Sequence, residues 1–94
     1  MALINPAYRE KRRYILIKTE NQDRFKEDFK NKFIYFFGIF NLAKAGIIFL
    51  QEKNKYIIIR VAKKYLPHTL IVLYSLGVKD VKIEPTLKRI KTYL

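Results

Sequence analysis

Short apolar runs and longer stripes of helical spacing alternate along this chain. Tyr14-Ile15-Leu16-Ile17 is brief, rich in β-branched residues and unbroken by polar ones, the pattern of a strand covered on both faces. Asn21 then suits a helix N-cap, and Asp23 falls where a first-turn acid favours the helix dipole. Phe25, Phe29, Phe33, Phe36 and Phe40 follow at three- and four-residue steps, predicting one helix face laid on a core. Ile34, Tyr35 and Phe37 widen that stripe, and Gly38 and Asn41 mark where the helix weakens and ends. Ala45 to Gln51 and Tyr56 to Val61 read as two strands joined by the polar turn Glu52-Lys53-Asn54-Lys55, a β-hairpin. Lys63 to Leu76 returns to helical spacing through Leu66, Leu70 and Leu73, with Tyr74 or Leu76 completing the stripe. Pro67 is tolerated only in that helix's first turn, and Gly77 suits the residue just past its end. Val78 to Glu84 predicts a fourth strand, stopped by Pro85. Thr86 then caps a short basic helix, Leu87 to Leu94.

The order β-α-β-β-α-β is that of the α+β, ferredoxin-like (split βαβ) two-layer sandwich: two helices on one face of a four-stranded antiparallel sheet, here with a short C-terminal helix added. Residues 1–8, with Pro6, read as a flexible arm, and residues 9–94 as a single domain. The second sheet face departs from the polar pattern expected of a face that meets water. Tyr14 and Leu16 oppose Ile15 and Ile17 on the first strand, and Tyr56 and Ile58 oppose Ile57, Ile59 and Val61 on the third. Either the C-terminal segment or the N-terminal arm covers that face, or a protein partner docks there or on the surplus aromatics Tyr35, Phe36 and Phe37.

Charge narrows the function. Twenty Lys and Arg against 8 Asp and Glu give a net charge of +12 and a pI near 10.0 in 94 residues. Such an excess attracts polyanions, and nucleic acid leads the candidates. With no cysteine, disulfides and thiolate metal sites are excluded. Met1 to Pro6 lacks the basic and apolar regions of a signal peptide, and no apolar run nears the roughly 20 residues of a membrane span. A cytoplasmic protein without a membrane partner is the expectation.

Candidate chemistry is sparse. His68 stands alone and reads as a solvated residue of a helix's first turn; Ser75 has no evident base; Asp80 and Glu84 read as local partners of Lys79, Lys82 or Lys88. Phosphate-cradling glycine loops do not occur. No catalytic residue and no protein-bound metal or cofactor is therefore expected. The third strand, Lys55-Tyr56-Ile57-Ile58-Ile59-Arg60-Val61-Ala62, lacks the glycine and paired aromatics with which an RNA-recognition domain stacks bases. What remains are basic clusters with few interleaved acids: Arg9, Lys11, Arg12 and Arg13; Lys63 and Lys64; Lys88, Arg89 and Lys91. They predict phosphate contacts that position RNA without reading bases. Neutralising about six to ten phosphates would make affinity fall roughly a thousandfold or more between 50 and 200 mM salt.

Several of these pieces, in order, resemble the archaeal ribonuclease P protein component 2 family, whose eukaryotic relatives are small ribonuclease P and MRP subunits. They are Arg9-Glu10-Lys11-Arg12-Arg13-Tyr14-Ile15; Gly38 with Asn41-Leu42-Ala43-Lys44-Ala45; Tyr56-Ile57-Ile58-Ile59-Arg60; and Thr86-Leu87-Lys88-Arg89. The chain departs from the family at Asn41 and Pro85, where glycine is frequent, and at Val61, where cysteine is. The resemblance implies a non-catalytic subunit of an RNA-based endoribonuclease. Its partners would be the ribonuclease P RNA, a TIM-barrel-like ribonuclease P protein component 3 in a two-plus-two assembly with self-association, and precursor tRNA as substrate of the whole particle. Mg²⁺ is expected on the RNA, which removes the 5′ leader. Two other classes share the physical features: another basic RNA-binding protein of this topology, such as a ribosomal protein, and a ferredoxin-like dimerisation or regulatory module.

Overall fold

The computed structural model describes residues 11–53 and 55–94, with side chains outside 51–53; the expected arm 1–8, Arg9 and the turn residue Asn54 lie outside the described residues. Strand β1 (Arg12–Lys18) leads into helix α1 (Gln22–Phe37) and helix α2 (Ile39–Ala45). The hairpin of β2 (Ile48–Lys53) and β3 (Tyr56–Ala62) follows. A 3₁₀ turn (Lys63–Tyr65) opens helix α3 (Leu66–Ser75), and β4 (Lys82–Glu84), α4 (Leu87–Ile90) and a 3₁₀ turn (Lys91–Tyr93) complete the chain. The sheet order is β2-β3-β1-β4 with every pair antiparallel. This is the ferredoxin-like arrangement expected from the element order.

Register sorts the side chains. Ile15 pairs with Ile59 and Ile17 with Ile57, which puts all four on one face. There they meet Phe25, Phe29 and Phe33 of α1 and Val72 and Leu73 of α3 in the main core. Phe49 of β2 closes it edge-on against Phe29, with ring centroids 5.5 Å apart. The alternate residues Leu16 and Ile58 point the other way and bury Ile90 of α4, flanked by Tyr14, Leu50, Tyr56, Leu87 and Leu94. The C-terminal helix thus covers the second apolar face.

Several boundaries differ from expectation. The first helix does not run on to Asn41 but breaks at Gly38, whose φ of 85° and ψ of 163° fit neither helix nor an L side chain, and α2 starts afresh after it. The expected buried stripe therefore ends at Phe33. Phe36 and Phe40 are 44% and 80% exposed. A helical wheel alone groups Phe36 with Phe33; past Phe33, however, the covering neighbour is α3, and its His68 ring meets Phe37 at 4.6 Å. Ala45 closes α2 instead of opening a strand, since Gly46 turns the chain left-handed after it and β2 begins at Ile48. The fourth strand shrinks to Lys82–Glu84. Gly77 N–H donates to the Tyr74 carbonyl and Val78 N–H to the Leu73 carbonyl, both at 3.0 Å, so the segment after α3 is spent closing that helix. Val78 and Val81 still pack on the main core. The last helix is one turn, Leu87–Ile90, extended by the 3₁₀ turn.

Candidate nucleic-acid interface

Pairing of β1 with β3 brings two distant basic segments together. Arg12 lies opposite Ala62, and beyond that pair the Lys63 N–H donates to the Lys11 carbonyl at 2.7 Å. Lys11, Arg12, Arg13, Lys63 and Lys64 therefore gather at one end of the sheet. All but the half-buried Arg13 are exposed. The Arg13 guanidinium donates to the Arg12 carbonyl at 2.8 Å, which turns it along the strand. The 3₁₀ turn keeps Lys63 and Lys64 outside while burying Tyr65, whose hydroxyl donates to Asn41 Oδ1 at 3.3 Å.

The third predicted cluster begins at the same end. β4 runs antiparallel to β1 and finishes with Glu84 opposite Tyr14, so Thr86 and Lys88 follow beside the start of β1. Thr86 Oγ1 accepts from Arg89 N–H at 3.2 Å and caps α4. Lys88, Arg89 and Lys91 are exposed, while the opposite side of this turn buries Ile90. Lys91 lies further along the segment that crosses the outer face. The described residues of the predicted site, Lys91 apart, thus form a row across three neighbouring strand ends, about 10 Å wide at ordinary strand spacing.

Among the residues whose side chains are described, most acids are segregated from it. Glu20, Asp23, Glu27, Asp28 and Asp80 lie in the β1–α1 loop, the first turns of α1 and the loop before β4, around the opposite end of the sheet. A groove of about 550 Å³ there carries both signs, with Lys18, Glu20, Arg24, Asp28, Lys79 and Asp80 in its walls. The ion pairs Arg24–Asp28 (3.8 Å) and Lys55–Glu20 (3.6 Å) belong to that half. Glu84 is the exception among the described side chains, and its Oε2 accepts from the Tyr93 hydroxyl at 2.9 Å. That bond, then the carboxylate's charge and slight desolvation, raise the Tyr93 pKa.

The aromatic residues expected at a protein interface divide. Tyr35 (78% exposed) and Phe36 face outward, whereas Phe37 is half-buried on the main core. Ile39 and Phe40, which no spacing argument singled out as surface, join the exposed pair because the break at Gly38 redirects the chain. His68 is not solvated as expected. It is half-buried between Phe37 and Tyr65, with Nδ1 buried and no hydrogen-bond partner among the described residues. Arg60, read only as part of a strand, shows a buried Nε without a partner among the described residues. Among the described residues no group of His, Cys, Asp or Glu could hold a metal ion, and no helix is long and apolar enough to cross a membrane. The chain matches no family model, and a search of curated proteins finds no match.

Proposed function

We propose that this chain is the RNA-binding protein subunit of a ribonucleoprotein, ribonuclease P, and that it braces the catalytic RNA by neutralising closely packed phosphates. The observation that supports it most is the meeting of Lys11, Arg12 and Arg13 with Lys63 and Lys64 at one sheet end, with Glu20, Asp23, Glu27, Asp28 and Asp80 gathered around the other. Like charges brought together repel one another, so their grouping costs stability unless an anion neutralises them. The outer sheet face, where bases would otherwise stack, is occupied by α4, which leaves phosphate contact as the mode of binding. The choice of ribonuclease P among RNA particles rests on the family resemblance of Arg9 to Ile15, Tyr56 to Arg60 and Thr86 to Arg89.

On this reading the cleavage of the 5′ leader belongs to the RNA and its Mg²⁺, and no protein side chain enters the chemistry. The exposed Tyr35, Phe36, Ile39 and Phe40 would serve contacts with protein component 3 or a second copy. Purifying the tagged protein from its native cells at moderate salt and sequencing the accompanying RNA tests the proposal. Enrichment of ribonuclease P RNA with a TIM-barrel-sized protein is the expected result; ribosomal RNA alone would move the chain to the ribosome, and absence of RNA would sink the reading. In vitro, replacing Lys11, Arg12, Arg13, Lys63 and Lys64 by Ala should flatten the salt dependence, because each lost phosphate contact removes about 0.9 from the log–log slope.

A further inference from the structure

The outer sheet face holds an arginine whose hydrogen bonding is incomplete. Arg60 sits on β3 between Tyr14 of β1 and Ile48 of β2, on the same face as Ile58. Ile58 is closed over by Ile90, but α4 packs on Leu16, Tyr14, Leu50 and Tyr56 and leaves Ile48 40% exposed. Arg60 therefore lies where the covered part of the face meets the basic sheet end. Its Nε is buried and has no acceptor among the described residues. Arg12, opposite Ala62, is its diagonal neighbour on the same face, a separation of about 7–8 Å that long side chains span. Among the residues whose side chains are described, the acid of this face is Glu84, which lies beyond β1 on β4 and accepts from Tyr93.

A buried guanidinium N–H without an acceptor is costly, and a second arginine beside it makes a neutral acceptor a poor answer. An oxyanion satisfies both, and a planar guanidinium matches a phosphate with two parallel hydrogen bonds. We infer that Arg60, with Arg12 beside it, forms a phosphodiester-binding subsite on the outer sheet face, adjoining the sheet-end cluster and sharing Arg12 with it. This rests on the RNA-binding reading above and adds a residue and a binding geometry to it. The sheet-end lysines act as point charges on an exposed backbone. Arg60 instead holds one phosphate in a fixed orientation at the edge of α4, setting how the RNA lies across the sheet. Because Nε is covered in the free protein, filling the subsite requires a flanking side chain, Tyr14 or Ile48, to turn aside.

A fluorescein-labelled RNA hairpin titrated into the full chain tests this. Arg60→Gln should weaken binding about ten- to a hundredfold, the loss of a charge-assisted hydrogen bond, and Arg60→Lys should recover only part of it. Arg24→Gln, at the opposite end and paired with Asp28, is the control for a lost charge. Wild-type affinity in Arg60→Gln, with the five-residue sheet-end variant defective, would overturn the subsite and leave the RNA reading standing. No effect from either set would remove both. Should Arg60→Gln fold poorly, the Arg60 Nε–H signal of the wild-type protein decides. The hairpin should shift it, and inorganic phosphate should shift it in the same sense at far higher concentration, whereas a signal blind to the hairpin overturns the inference.

Discussion

Tyr93 and Glu84 show how a single contact ties the chain's last turn to the sheet. The phenol donates to a carboxylate on β4, and Lys82 Nζ stands 5.7 Å from the same ring's centre. A phenol that must lose its proton beside a carboxylate resists doing so, which is why its pKa lies above 10.0 in the folded state. The unfolded chain then loses this proton first as pH rises. The contact's contribution is therefore fully present below pH 10.0 and fades as pH climbs through the raised folded value. Because the group is exposed and solvent-screened, the effect is small. Comparing denaturation of wild type and Tyr93→Phe from neutral to alkaline pH should show a modest gap that closes above pH 10.0. A gap constant with pH would mean that the ionisation plays no part.

At the scale of elements, two devices set the architecture: the break between α1 and α2, and the docking of α4. Gly38 holds a backbone conformation (φ 85°, ψ 163°) open in practice to glycine alone, and a Cβ built there meets nothing within 4 Å. The cost of Gly38→Ala is thus conformational rather than steric, about 1–3 kcal/mol, and urea denaturation should register it. A stability equal to wild type would mean that the two helices reach their places without this turn. Helix α4, at four residues, is far too short to persist alone. It holds because Ile90 is buried, and Leu87 and Leu94 partly so, on an already apolar sheet face, and Thr86 Oγ1 accepts from the free Arg89 N–H.

For the whole molecule, what matters is where the charge lies and not only how much there is. The net +12 is polarised, since Lys26, Lys30, Lys32, Lys55 and Lys79 share α1 and the far sheet end with Glu20, Asp23, Glu27, Asp28 and Asp80, whereas among the described side chains the sheet-end row has Glu84 alone nearby. Two variants that lose equal charge separate location from total. Alanine at Lys11, Arg12, Arg13, Lys63 and Lys64 should abolish tight binding of the RNA hairpin at moderate salt. Alanine at Lys26, Lys30, Lys32, Lys55 and Lys79 should lower it only slightly. Equal losses, read by fluorescence anisotropy, would mean that the protein binds RNA as a diffuse polycation and that the row is no interface.

Local pattern by itself determined the element order and most of the core. Strand β1 announced itself through Ile15, Leu16 and Ile17, α1 through Phe25, Phe29 and Phe33, and the ends of α3 through Pro67 and Gly77, because burial periodicity and backbone restriction act over a few residues. That order with its short connections left few topologies, and the sheet order β2-β3-β1-β4 is the one expected. Only the tertiary structure decided what depends on neighbours far away in sequence. It chose the C-terminal helix to cover the second face, put Phe37 rather than Phe36 under His68, and cut β4 to three residues. It also joined Lys63 to Lys11 and left Arg60 Nε without an acceptor among the described residues. The physical reason is common to all of these. A side chain's periodicity says which way it points from its own element, but its burial, partner and charge environment belong to the element packed against it.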